Sequence, residues 1–367
     1  MLNAAISKFE WWAEYAVELL LGLFSVASNA GAHSAAGAEI RTAGGASKLC
    51  CCEWVLGYVR TGFIHRISPS NEAQVGARLS AGANVRGVWV DHENNIYAAM
   101  DSTTVSVRKW NSGGVLLWTY ALGDGNTAYA VETDSVGNVY VVCNASGTVG
   151  NEISLIKLNA SGVKQWSVHT APCLGISVKA DDHIRIVGEP HAGGAAGDNA
   201  WTYDEDGNQI AAEGVGTTIG DLRPSLRDVV YDASGNEFIT GSRDGDDYQL
   251  WRNTAQWAKL PVIADQGFNL SIDGDGAVWV AYAAINSGIR KLDSSGSTEW
   301  TYTTFGAFTQ DIVTDDAGNG YFGGRPGVTK QRIKIDTDGN VVWSRDFSSG
   351  HIGAAHRSVR EELPAGT

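Results

Sequence analysis

The chain has 367 residues, with 41 Asp and Glu against 27 Lys and Arg, a formal net charge of -14 and a pI near 4.9. That balance repels phosphate backbones and anionic bilayers, which excludes nucleic acid as a partner and disfavours membrane contact. The 45 glycines point to many tight turns, and the 9% aromatic content supplies bulk for a large core.

In chain order, the first element is apolar. Residues 6–27 are rich in Phe, Trp, Leu and Ala, while Glu10, Glu14 and Glu18 recur at four-residue spacing. On a helix this leaves one acidic stripe on an otherwise apolar rod, which needs a cover. A signal peptide would carry a basic leader, and a membrane span needs about 18 or more consecutive apolar residues. Residues 1–30 are therefore read as a helix that docks on another protein through Phe9, Trp11, Trp12, Leu20 and Phe24, with a cleaved signal peptide and membrane contact as the alternatives. Residues 31–52 read as a small-residue linker that ends in Cys50, Cys51 and Cys52. Cys143 and Cys173 complete an odd set of five with no C-x-x-C pair, which argues against a zinc site. Cys143 ends an apolar run and reads as a core residue.

From residue 53 to 367 a unit of about forty residues recurs, the mark of a repeat architecture. Its first half reads VWVDHENNIYAAM at Val88, VETDSVGNVYVVC at Val131, VVYDASGNEFITG at Val229, LSIDGDGAVWVAY at Leu270 and IVTDDAGNGYFGG at Ile312, with a degenerate copy, VKADDHIRIVG, at Val178. The second half ends in a tryptophan at Trp118, Trp166, Trp300 and Trp343. Each half holds two short apolar runs broken by an Asp/Asn/Ser-Gly cluster, the signal of a hairpin. Two hairpins per unit predict four-stranded blades around an axis, an all-β propeller. Residues 62–80 align with the second half of a unit, and a further first strand is expected in the tail after His351. Joining these two pieces gives a seventh blade split between the ends of the repeat region, with six or eight blades as the alternatives.

The D-x-x-G-N-x-Y signature and the following K-(L/I)-(D/N)-x-x-G-x-x-x-W segment resemble SBBP and PQQ-like propeller repeats, of the kind found in bacteriophage structural proteins. The likeness spans about residues 62–347 and implies the fold; for function it implies only a virion setting.

Catalytic motifs are missing. The histidines form no H-E-x-x-H, no G-x-S-x-G occurs, and the S-x-x-K at Ser154 to Lys157 falls on a repeat position shared with Lys291 and Lys334. D-x-D-G occurs at Asp204, Asp273 and Asp336 but lacks the rest of a calcium loop, and Asp and Gly suit these turns without an ion. No metal or cofactor is expected. Trp118, Trp166, Trp300 and Trp343 share one repeat position and read as blade-packing residues.

Loops between second and third strands and between blades vary, whereas the other turns are uniform, which makes the variable face the working face. Its polar candidates are Asp124, Asn126, His169, His191, Asp198, Asp221, Arg223, Arg243, Asp244, Asp246, Asp247, Arg325 and His351. The chain is thus expected to be a non-enzymatic binding or structural module of a phage particle. Its N-terminus would anchor it to other virion proteins, and its loop face would meet a host-surface glycan, a host protein or a neighbouring subunit. A secreted or periplasmic propeller that binds glycan or protein is the second reading, and a quinone- or calcium-dependent enzyme the third.

Overall fold

The computed structural model describes residues 54–356, apart from 59–62, 68–75, 124–125, 146–152, 180, 190–197, 216–224, 244–246, 254–256, 260–265, 284–285, 306, 316, 327–329 and 348–351. The chain divides into two units, Met1–Cys51 and Cys52–Thr367, and every described residue belongs to the second. The docking segment with Phe9, Trp11, Trp12, Leu20 and Phe24, the linker, and Cys50 to Cys52 lie outside the described residues.

The described residues form 28 β-strands and no α-helix. β1 (Trp54–Tyr58), β2 (Phe63–Ile67) and β3 (Leu79–Ser80) come first. A first blade follows, β4 (Asn84–Val90), β5 (Ile96–Asp101), β6 (Val107–Trp110) and β7 (Leu116–Tyr120). The second is β8 (Asn126–Thr133), β9 (Val139–Ala145), β10 (Leu155–Leu158) and β11 (Lys164–Val168), and the third β12 (Cys173–Val178), β13 (Ile184–Gly188), β14 (Ala200–Tyr203) and β15 (Gln209–Glu213). The fourth is β16 (Ser225–Tyr231), β17 (Glu237–Arg243), β18 (Asp247–Asn253) and β19 (Trp257–Lys259). The fifth is β20 (Gln266–Ile272), β21 (Val278–Ala283), β22 (Asn286–Leu292) and β23 (Thr298–Phe305). The sixth is β24 (Ala307–Thr314), β25 (Gly320–Pro326), β26 (Lys330–Ile335) and β27 (Val341–Phe347), and β28 (Ile352–His356) ends the series.

Each blade is an antiparallel meander, and the first strands β4, β8, β12, β16, β20 and β24 neighbour one another in that order. The molecule is a β-propeller. β28 contacts both β24 and β4, pairs antiparallel with β1, and meets β4 in parallel at Ala355↔Val88 and His356↔Trp89. Strands β28, β1, β2 and β3 are hydrogen-bonded in that order. β1 carries no mark of the repeat in its sequence, since WVLGY follows the cysteine run with no turn signal.

Blade faces cover one another, so the core is a series of inter-blade layers. One layer joins Trp89, Tyr97 and Val107 of the first blade to Val131, Val139 and Val141 of the second, and another joins Trp279 and Ile289 of the fifth to Ile312 and Phe322 of the sixth. Strands such as β5 are buried from Ile96 to Met100 because apolar neighbours lie on both faces, which is why they read as unbroken apolar runs.

The repeat signature has a hydrogen-bonding origin. In the first blade Asp91 Oδ1 accepts from the backbone N–H groups of Glu93 and Asn95, while its Oδ2 accepts from the Asn95 amide and from Tyr97 Oη at 2.8 Å. Asp134 and Asp315 repeat this arrangement with Tyr140 and Tyr321, and in the fifth blade Trp279 Nε1 donates to Asp273. A lysine from the third strand then covers each ring, Lys109 over Tyr97, Lys157 over Tyr140, Lys291 over Trp279 and Lys334 over Tyr321, at 5.1 to 5.5 Å. The turn position usually held by Gly is left-handed even where the residue differs, with φ of 62° at Asn94 and 60° at Asp182.

The third blade breaks the pattern. Lys179 and Arg185 stand where the other blades carry Asp and an aromatic residue, and Thr202 opposite Ala211 replaces the Lys–Trp pair of the first, second, fifth and sixth blades. Arg185, 1% exposed, instead donates to Glu237 of the fourth blade at 2.7 Å, to Thr202 Oγ1 at 3.0 Å and to Glu213 at 3.3 Å. A buried ion pair thus links two blades where the tryptophan is missing.

Candidate functional site at the axis

Each of the six first strands contains a register shift at one position, which leaves a single residue unpaired: Arg86, Tyr129, Leu174, Arg227, Phe268 and Gln310. A bulge bends the strand and re-aims a side chain. Its recurrence at the same place in every unit builds a collar, located just after the blade-to-blade connections. Arg86, Tyr129, Leu174 and Arg227 line a cavity of about 210 Å³ at the meeting of the first strands.

The residue after each bulge forms the next layer, reading Gly87, Ala130, Gly175, Asp228, Asn269 and Asp311. Small residues occur where backbones nearly touch. A Cβ on Gly175 would lie 2.7 Å from the Arg227 carbonyl oxygen and 2.8 Å from Asp228 Cα, so no larger residue fits. Farther along the first strands, side chains supply the bonds that splayed strands cannot make with their backbones. Trp89 Nε1 donates to Thr133 Oγ1 at 2.9 Å, Glu132 accepts from Val178 N–H at 3.0 Å, and the Ser271 and Thr314 hydroxyls meet at 2.8 Å.

Asp228 is the unusual acid. Its Oδ1 accepts from Val229 N–H at 2.9 Å and its Oδ2 from Leu270 N–H of the next blade at 2.8 Å. Burial in the cavity wall pushes its carboxyl up to about 7, against the pull of those two N–H groups. Arg86 is ion-paired with Asp101 and lies over the Tyr129 ring at 5.1 Å. Arg227 differs: among the described residues its guanidinium has no ion pair or hydrogen bond, and its Nε is buried. A guanidinium without an ion pair among the described residues, a protonatable carboxyl at Asp228, the Glu132 carboxylate and the Asn269 side chain therefore share one small cavity. No group of three or more His, Cys, Asp or Glu is placed to hold a metal ion among the described residues. At Asp204, Asp273 and Asp336, Oδ1 is occupied by backbone N–H groups of the Asp's own turn.

The loop candidates fare differently. Asp124, His191, Asp221, Arg223, Asp244, Asp246 and His351 lie outside the described residues. Asn126, Arg243, Asp247 and Arg325 are not in loops: Asn126 opens β8, Arg243 pairs in register with Asp247 across β17 and β18, and Arg325 pairs with Phe308. These hairpins continue their ladders past the last apolar residue, where polar composition suggested that the strand had ended. His169 is exposed after β11 and Asp198 is part-buried before β14, and neither lines the axial cavity. Among the described candidates the structure brings together only Arg243 and Asp247, as neighbours on one hairpin and away from the axial cavity.

Trp118, Trp166 and Trp300 each reach into the next blade, donating from Nε1 to the carbonyls of Ala160, Glu205 and Thr337 at 2.9 to 3.0 Å. Trp343 Nε1 is buried with no such partner among the described residues, and its ring packs at 6.1 Å from Tyr321. Arg86, Arg227, Asp228 and Asn269 were missed by sequence reasoning. Aligning the units on the turn Asp places Arg227 under Arg86, and Asp228 and Asn269 under Gly87, a column where small residues give way to polar ones.

The architecture is that of a propeller with a polar axial cavity. No protein-family model matches the chain, and no curated protein matches it in sequence. Solved structures do resemble it. Virginiamycin B lyase from Staphylococcus aureus superimposes with a TM-score of 0.58 at 13% identity, covering 74% of this chain and 88% of the lyase. AztD from Citrobacter koseri gives a TM-score of 0.58 at 10% identity, covering 83% of this chain and 97% of AztD. At these identities the likeness establishes the propeller fold alone. It also corrects the expectation of a non-enzymatic module, because a lyase is built on this fold, and missing sequence motifs do not exclude catalysis from groups assembled around an axis.

Proposed function

We propose that the chain is a seven-bladed propeller whose axial cavity binds a small ligand, with the bulge residues as its recognition collar. The observation that carries this is the bulge repeated in six blades, which delivers Arg86, Tyr129, Leu174 and Arg227 to one cavity. The seventh blade in this reading is β28 with β1, β2 and β3. It is supported by the contacts of β28 with β24 and β4, and by Leu79 of β3, whose Cδ2 lies over Gly114 as the tryptophans do over equivalent glycines in other blades. A thermal-shift screen of small molecules tests the reading with a plugged variant, Leu174→Trp, which fills the cavity without removing a hydrogen bond. Ligands that stabilise the wild type and not the variant support it; ligands that stabilise both equally overturn it.

The setting is a separate proposal, a virion protein held to its assembly by residues 1–30 and meeting a host surface or neighbouring subunit. It is supported by the repeat resemblance and by the apolar character of that segment. A chain lacking residues 1–47 should stay soluble and fail to join the particle.

A further inference from the structure

Resting on the axial cavity as the ligand site, we propose that this cavity takes the carboxylate of a small organic acid, anchored by the guanidinium of Arg227 and flanked by Asp228 and Asn269. The charges on the cavity wall have unequal company. Arg86 is matched by Asp101, and the Glu132 carboxylate accepts from the Val178 N–H. Each oxygen of Asp228 already accepts one backbone N–H, and its surroundings favour the neutral, hydrogen-bond-donating form. The Arg227 guanidinium makes no ion pair or hydrogen bond among the described residues, and its Nε is shielded from water, in a cavity that the Glu132 side chain also lines. A guanidinium without an ion pair in a shielded cavity favours an anion, and its planar fork matches a carboxylate in two parallel hydrogen bonds. A protonated Asp228 can donate to the same ligand, and Asn269 lines the wall beside it. The volume, about 210 Å³, is below that of drug-sized pockets and suits a molecule of roughly one sugar ring or a short dicarboxylate.

Calorimetric titration of the full chain at constant ionic strength, with succinate, glucuronate, glucose and inorganic phosphate as probes, tests this. Succinate or glucuronate should bind. Arg227→Gln should weaken that binding about tenfold or more, Arg227→Lys should retain part of it, and Leu174→Trp should abolish it. Melting curves of each variant establish that it is folded. Binding of glucuronate without succinate identifies an acidic sugar as the source of the carboxylate, and the reverse a free dicarboxylate; both support the assignment. Unchanged affinity in folded Arg227→Gln, phosphate binding as tight as that of either carboxylate, or no carboxylate binding would overturn it. If library ligands are still lost in Leu174→Trp while no carboxylate binds, the axial site stands and the carboxylate assignment falls.

Discussion

The indole of Trp118 lies against Gly162 of the next blade so closely that a Cβ on that glycine would come within 2.7 Å of the ring. The same ring donates from Nε1 to Ala160, two residues before the glycine, at 3.0 Å. Gly162 has a φ of 80°, so both its backbone and its missing side chain are required at this contact. Gly162→Ala should therefore destabilise the protein by about 1 to 3 kcal/mol, and Trp118→Ala by about 2 to 4 kcal/mol. Because both changes break one latch, the double variant should lose less than the sum, which denaturant unfolding of all four proteins measures.

Arg185 and Glu237 make the corresponding link between the third and fourth blades, and there the partner is a buried charge. Glu237→Gln leaves the Arg185 guanidinium, 1% exposed, facing a neutral group. The expected loss is about 3 to 5 kcal/mol, whereas replacing both residues by methionine should cost much less, because neither charge then needs a partner. Equal losses in the two variants would show that packing, and not the charge, dominates the site.

Asp228 gives the fold a pH dependence with a defined sign. Its folded carboxyl titrates near 7, above the ordinary value of about 3.9 for an unfolded Asp. Between those values the folded chain keeps a proton that the unfolded chain has released, so its contribution to stability is present at low pH and declines as pH rises through the window. Wild type should lose more stability than Asp228→Asn between about pH 4.5 and 7.5. Parallel curves for the two proteins would assign the titration elsewhere.

Removing residues 350–367 deletes β28 and leaves β1 without its inner partner. It also separates β24 from β4, which β28 touches on either side. An opened ring exposes strand edges, and the melting temperature should fall by about 10 °C or more, with aggregation on heating. An unchanged melting temperature would rule out closure by the C-terminal strand.

The turns and the tryptophan column were legible because their chemistry is local. Asp91, Asn95 and Tyr97 lie within one hairpin, so their spacing in sequence is their spacing in space. The axial site was hidden for the opposite reason. A bulge is a property of two strands in register, and nothing in VRGVW marks Arg86 as unpaired until β5 is laid beside β4. Arg227 and Arg86 are 141 positions apart and meet only when three blade rotations bring their strands around one axis. The polar loops drew attention instead because exposure, unlike convergence, can be read from composition.

An unpaired bulge residue belongs to no ladder, so exchanging its side chain removes no rung from the sheet. Positions 86, 129, 174 and 227, which line the cavity, are therefore four sockets on a frame whose stability is set elsewhere, by the turn carboxylates and the inter-blade layers. Such a scaffold can acquire a new ligand by changing one socket at a time, with the neighbouring three holding the mouth of the cavity in shape.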